Sequence, residues 1–394
     1  MDYLVYLVYP LLAVALLWGS SLKKRGEWNE EVFSLRQMKA MQGFIALCIL
    51  LHHCGQKTSA SWIDQRYYVP GLDFFVPIGY ILVSFFTFAS GYGLYKSFHT
   101  KPHYLEDHFF RKRVVPILGI GYTVCLVYLA VRLALGEQVT GQKLLWYLTG
   151  LKLCNPNSWY VYIMPLFYLA FFLAFRFIKD ERKALAAVLL FTIAYQLLGA
   201  SIDHNDWIMR GEWWYNSIHL FVVGLFVAKH ETAILEHLKK HYVRYLVLGI
   251  LGVLLFTGFT QFAKSFFSYY GENWGAPDKV LRRIICLISE ILVSSSVVFT
   301  AYLIGMKLRI GNRFLAFLGR MTLEFYLIHG VFVELFCYSF AGELPSLYYI
   351  RNNGLFVLVV FALGLPSAML LKKVGDLFRL SPSKAVPPEQ GTEK

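Results

Sequence analysis

The chain has 394 residues, is 57 % hydrophobic and only 16 % charged, and has a mean hydropathy of +0.50. Soluble domains carry roughly 25 % charged and 45–50 % apolar residues, so these proportions exclude an ordinary soluble fold and favour one polytopic membrane domain without polar linkers. The net charge of +13 fits basic loops beside anionic lipid headgroups and calls for no nucleic-acid partner.

Apolar runs of the length a spanning helix needs, roughly 17–25 residues, recur along the chain. They fall at 2–20, 38–54, 73–96, 114–135, 159–178, 184–201, 213–230, 244–262, 282–306, 314–338 and 353–372. This pattern predicts an all-α fold, a polytopic membrane helix bundle of about eleven transmembrane helices. The first run has no basic n-region and no small-residue cleavage site, so it reads as a retained helix, not a signal peptide. The stretch 144–153 is too short to span and is expected at the surface. The tail SPSKAVPPEQGTEK is polar and proline-containing, which predicts disorder over 379–394.

Charge placement sets an orientation. With the N-terminus outside, alternate loops collect Lys23, Lys24 and Arg25, then Arg111, Lys112 and Arg113, then Arg182 and Lys183, then Lys239 and Lys240, then Arg309 and Arg313. These loops, with the C-terminal tail, hold most of the 38 basic residues. The positive-inside rule therefore places the N-terminus outside and the C-terminus in the cytoplasm. The six cysteines form no CxxC pair, so no metal site and no redox motif is expected. Cys54 and Cys154 both fall towards the outer side, and the spacing leaves open whether they pair.

The second run, KAMQGFIALCILLHH (39–53), carries polar groups where lipid would make them costly. Residues eleven apart lie three turns apart on one helix face. One face thus runs Lys39, Gln42, Ala46, Ile49, His53, Gln56, and should look into a bundle or a wet cavity. His52 is rotated about 100° away. A histidine held in this way can take a proton from a hydroxyl near neutral pH, the task of a general base. Further on, Ser84, Thr87 and Gly91 form a small-residue face that lets helices approach. Ser90 and Tyr92 add hydroxyls. Arg320 and Glu324 are spaced to pair along a helix, and Tyr326 and His329 share a face. NPNSWYVY (155–162) and DHNDWIMRGEWWYN (203–216) are rich in aromatics, with Asp206 and Glu212 as carboxylates. Such loops suit a sugar, although interfacial Trp and Tyr belts are common in any membrane protein.

The run ending in His52–His53 resembles the segment that opens the membrane domain of the acyltransferase 3 family, integral-membrane O-acyltransferases that include O-antigen acetylases. Three later stretches are similar to that family in the same order: FVPIGYILVSFFTFASGYGLYKSF (75–98), FFRKRVVP (109–116) and LGRMTLEFYLIHG (318–330). The resemblance runs from Arg36 to Leu371. Where many members carry an arginine eleven residues before the key histidine, this chain has Gln42, with Lys39 one turn earlier as the substitute. Phe110 stands at the first arginine of the usual basic loop.

The resemblance implies a ten-helix acyltransferase core over 32–378, with 1–31 as an extra helix and inner loop. It implies a multi-pass protein of a bacterial inner membrane and no permanently bound cofactor. The co-substrate would be acyl-CoA, most simply acetyl-CoA, and the acceptor a hydroxyl of an extracytoplasmic glycan or glycolipid. His53, with Gln42, would be catalytic, either as base or as transient acyl carrier. Lys39, Arg111 and Arg113 would hold the phosphates of CoA, although basic residues there also serve membrane anchoring. Asp73, Ser90, Tyr92, Trp159, Tyr326 and His329 would line the cavity or the acceptor side. A proton-coupled transporter using His53 and Glu324 is the rival reading, and a catalytically silent membrane subunit the third.

Overall fold

A computed structural model describes residues 3–202, 211–267 and 277–378. The expected disordered tail and Asp206 lie outside the described residues. The chain opens with a 3-10 turn, Leu4–Leu7, that runs into α1 (Val8–Leu17). A short strand β1 (Ser21–Leu22) precedes α2 (Leu35–Gln56), which starts at Ser34, whose hydroxyl accepts from the Gln37 amide at 3.3 Å. A 3-10 segment containing Pro77, Asp73–Ile78, leads into α3 (Gly79–Thr100).

Next come α4 (Phe109–Arg113) and α5 (Val115–Ala134), the latter with proline in its first turn. The short surface helix α6 (Gly141–Thr149) is capped by Thr140 and stopped by Gly150, whose φ of +72° suits glycine. Then follow α7 (Trp159–Phe177), α8 (Glu181–Ser201), α9 (His219–Lys229), α10 (Glu231–Lys240), α11 (Tyr242–Phe266) and α12 (Lys279–Gly305). Strand β2 (Leu308–Arg309) pairs antiparallel with β1, and α13 (Arg313–Leu318), α14 (Thr322–Phe336) and α15 (Asn353–Leu377) complete the fold.

Each expected apolar run contains helix, although the tenth divides between two helices and the seventh is helical only from His219. Among the described residues, seven helical segments are long and apolar enough to cross a membrane: Asp73–Thr100, Val115–Ala134, Trp159–Phe177, Glu181–Ser201, Tyr242–Phe266, Lys279–Gly305 and Asn353–Leu377. The remaining runs differ for physical reasons. α2 has the length but carries its polar face, Leu4–Leu17 and His219–Lys229 are shorter apolar helices, and the tenth run breaks between α13 and α14 at residues 319–321.

Helices α2, α14, α5, α7, α8, α9 and α3 each pack on the next and close a ring; α11 and α12 lean on it as a pair, with α12 against α3 and α8. The ring closes tightly between α3 and α9. A Cβ on Gly91 would lie 1.9 Å from the Phe221 carbonyl oxygen, and one on Gly224 would lie 2.2 Å from that of Phe88. Thr87 donates to the Ser217 carbonyl at 3.1 Å across the same seam. The small-residue face of α3 is thus a packing face.

Polar pairs sort to the two ends of the bundle. One end, called here the basic end, holds β1–β2, the Tyr92–Glu231 hydrogen bond and the Lys229–Glu181 pair. The far end holds Lys57–Glu334, Arg132–Glu137 and Lys264 between Glu212 and Glu290. All six cysteines are free and buried, so Cys54 and Cys154 are not bridged.

Candidate active site

Inside the ring, α2 and α14 bring two imidazoles together. His53 is 6 % exposed and His329 fully buried. His53 Nδ1 lies 2.8 Å from His329 Nε2, with the rings stacked at 4.9 Å between centroids. His329 Nδ1 lies 2.6 Å from the Phe325 carbonyl oxygen, one turn earlier on its own helix. A carbonyl oxygen only accepts, so His329 Nδ1 carries the proton. In a neutral ring Nε2 is then an acceptor, and His53 Nδ1 must donate to it. The lone pair of His53 therefore sits on Nε2. A backbone carbonyl orients His329, which orients His53, as a hydrogen-bond partner fixes the catalytic imidazole in other sites.

His52 has a different role. Its Nδ1 donates to the Phe75 carbonyl at 2.8 Å, and a Cβ on Gly79 would lie 2.2 Å from its Nε2. It pins the 3-10 segment before α3 onto α2.

Aromatic rings flank the pair, with Phe325 at 5.2 Å from the His329 ring. The Tyr326 ring lies 5.7 Å from that of His53, and its hydroxyl donates to the Asn157 carbonyl. Asn155 Nδ2 donates to the Leu327 carbonyl at 3.2 Å, so the loop before α7 is tied to α14. That loop positions buried Trp159 and, beside it, Tyr160, whose hydroxyl is 3.1 Å from Ser90 Oγ on α3. The Tyr128 hydroxyl is fully buried with no partner among the described residues, close to Gly330, where a Cβ would lie 2.6 Å from it. Such an orphan phenol in the bundle interior suits a polar ligand group.

Along the continuous α2 helix, Gln42 lies about 16 Å from His53 on the same face. Its Oε1 is buried with no hydrogen-bond partner among the described residues, and half-buried Lys39 lies one turn lower. One turn beyond His53, towards the far end, Lys57 Nζ meets buried Glu334 at 2.9 Å, and Glu334 also accepts from the Ala341 amide at 2.7 Å. Lys57 is partly exposed, so the pair of histidines lies about a turn below that surface.

The structure thus groups His53, His329, Tyr326, Trp159 and Ser90 inside the ring, with Gln42 and Lys39 on the same α2 face. Other expected residues lie elsewhere. Asp73 is exposed and holds its own loop, accepting from the Tyr68 hydroxyl at 2.6 Å and the Gly71 amide at 2.8 Å. Tyr92, two residues beyond Ser90, faces away and donates to Glu231 at 2.7 Å. Arg113 donates to the Tyr104 hydroxyl at 2.5 Å and to Ser97 at 2.8 Å, and Lys112 pairs with Asp107, while Arg111 is exposed. Arg320 precedes α14 on an exposed turn, and Glu324 lies buried 3.9 Å from Lys372, because the helix starts only at Thr322.

Sequence reasoning missed Tyr128, Asn157 and Tyr160 as individuals. The aromatic stretch 155–162 contained the signal for two of them; an isolated tyrosine in an apolar run gave none for Tyr128.

Comparison with known families finds a match over residues 35–373 to the model of an acyltransferase domain, that of the acyltransferase 3 family. No curated protein and no solved structure matches the chain.

Proposed function

We propose a role for the two-histidine site on the premise that the chain belongs to the acyltransferase 3 family and is a membrane acyltransferase. In this reading it moves an acyl group, acetyl in the simplest case, from acyl-CoA on the basic, cytoplasmic side to a hydroxyl of a glycan or glycolipid on the far side. The observation that carries it is the His53–His329 pair, whose hydrogen bonds leave the lone pair on His53 Nε2.

The acceptor hydroxyl gives its proton to His53 Nε2 as its oxygen attacks the thioester carbonyl carbon. The tetrahedral intermediate then collapses, the carbon–sulfur bond breaks, and the CoA sulfur leaves with the proton returned from His53. His329 steadies the charged ring through Nε2. The Ser90–Tyr160 pair uses one hydroxyl hydrogen between its members and keeps the other for a developing oxyanion. The thioester arm would run from the Lys39–Gln42 level to His53 along α2, with exposed Arg111 meeting CoA phosphate at the cytoplasmic mouth.

The test is transfer by the purified protein in liposomes, with a base-labile ester on the glycan read by mass spectrometry. His53→Ala should lower turnover by about a hundredfold or more with the protein still monodisperse, and His52→Ala should be milder. Near wild-type turnover by His53→Ala would remove the base from the mechanism. Solute accumulation in liposomes without acyl-CoA would favour a transporter instead.

A further inference from the structure

At the basic end, a cavity of about 220 Å³ is lined by Arg36, Arg313 and Arg320 with Ala40, Ile310, Gly311, Asn312 and Ala316. No carboxylate lines it. Arg66, Arg132, Arg176, Arg282 and Arg309 each meet an acidic side chain, whereas the three around this cavity form no ion pair among the described residues. All three are exposed, so water and salt screen them from one another, but their forked donors gathered at one mouth suit phosphate oxygens.

A second cavity, of about 590 Å³, adjoins the first, with buried Ile310 in the wall of both. It is an apolar groove between α11–α12 and α2–α3. Its stripe on α12 runs Val293, Val297, Ala301, Ile304 and its opposing stripe on α2 is Met41, Phe44, Ile45. From Gly305 to Val293 the groove covers about 18 Å at the helical rise, slightly more than one leaflet, half of a hydrocarbon core about 30 Å thick. The opposite end of the groove offers no site for an anion, because Lys264 there is held by Glu212 at 2.9 Å and Glu290 at 2.6 Å.

We infer that these two cavities form one lipid site: the phosphate headgroup of an anionic phospholipid from the leaflet at the basic end sits among Arg36, Arg313 and Arg320, and one of its alkyl chains lies in the groove along α12. The charge complementarity fixes the headgroup class, and the length of the groove fixes the leaflet. The site is separate from the histidine pair. On α2 the groove residues Ile45, Met41 and Phe44 lie about 60°, 100° and 160° round the helix from Gln42.

The test uses the full chain, purified and offered equal amounts of phosphatidylglycerol and phosphatidylcholine in mixed micelles, with retained lipid read by native mass spectrometry. Wild type should retain phosphatidylglycerol at least about tenfold over phosphatidylcholine. The Arg36→Gln, Arg313→Gln, Arg320→Gln triple variant should lose that preference. Ala316→Glu, which puts a carboxylate into the cavity, should lose it as a single change. Ala301→Trp should weaken retention of long-chain but not short-chain phosphatidylglycerol by filling the groove. Equal retention of phosphatidylglycerol by wild type, the triple variant and Ala316→Glu overturns the site. So does a triple variant with unchanged lipid retention but weakened binding of 3′,5′-ADP, which would assign the arginines to CoA phosphate instead.

Discussion

At the scale of single residues, the decisive feature is the direction of two hydrogen bonds. The His53–His329 contact leaves one nitrogen basic only because His329 Nδ1 is committed to a backbone carbonyl. His329 is therefore a positioning residue. Replacing it with alanine should lower kcat by about 10- to 100-fold with little change in the KM for acyl-CoA, and should change the pH–rate profile. His329→Gln, with an amide oxygen near the place of Nε2, should recover part of the loss. Equal kcat and pH profile for wild type and His329→Ala would mean that the pairing does not orient the base. The histidine of α2 was legible in the sequence because a polar stripe in an apolar run has few cheap explanations. The bond between the two rings was not, since they are 276 residues apart and only the α2–α14 contact makes them neighbours.

At the scale of elements, two contacts carry consequences. Gly91 and Gly224 let α3 and α9 touch backbone to backbone. Gly91→Ala places a methyl group 1.9 Å from the Phe221 carbonyl oxygen, so the helices must part at a cost of about 2–3 kcal/mol. A lower melting temperature in detergent checks this, with Gly258→Ala as control because nothing lies within 4 Å of its added carbon.

The other contact joins α5 to α6. Just past α5, buried Glu137 meets Arg132 at 2.8 Å, accepts from the Tyr147 hydroxyl at 2.8 Å and pairs with Lys143. Burial works against its charge, but the bonds from Lys143, Arg132 and Tyr147 outweigh it and hold the carboxyl down at about 2, against 4.5 for a free one. A carboxyl depressed in this way stabilises the fold fully above its unfolded value. That contribution, of order 2 kcal/mol, fades as pH falls from about 4.5 towards 2. Wild type should thus lose melting temperature between pH 6 and pH 3 more steeply than Glu137→Gln. Parallel curves would show that the carboxylate adds nothing. The sequence marked α5 as a span and 144–153 as a surface piece but gave no sign that one glutamate joins them, because a loop residue's partners depend on how the chain returns.

At the scale of the whole molecule, the polar pairs divide between two ends, and most basic loops share one of them. We expect that end to face the cytoplasm. Arg25→Cys and Lys240→Cys should resist a membrane-impermeant thiol reagent in intact cells and react after lysis, whereas Arg66→Cys should react in both. The reverse labelling would invert the proposed sides of donor and acceptor. The sequence by itself determined that the chain is a helical membrane bundle, roughly where its long apolar helices fall, and that α2 carries a polar face, because hydropathy and periodicity are local properties of a chain in lipid. The motif order and the family match over 35–373 point to acyl transfer for the same reason. Only the tertiary structure decided which polar residues meet. It paired His53 with His329, turned Tyr92 towards Glu231 and left the buried Tyr128 hydroxyl with no partner among the described residues. Those outcomes depend on how helices distant in sequence rotate and close against one another, which the pattern along a single helix does not specify.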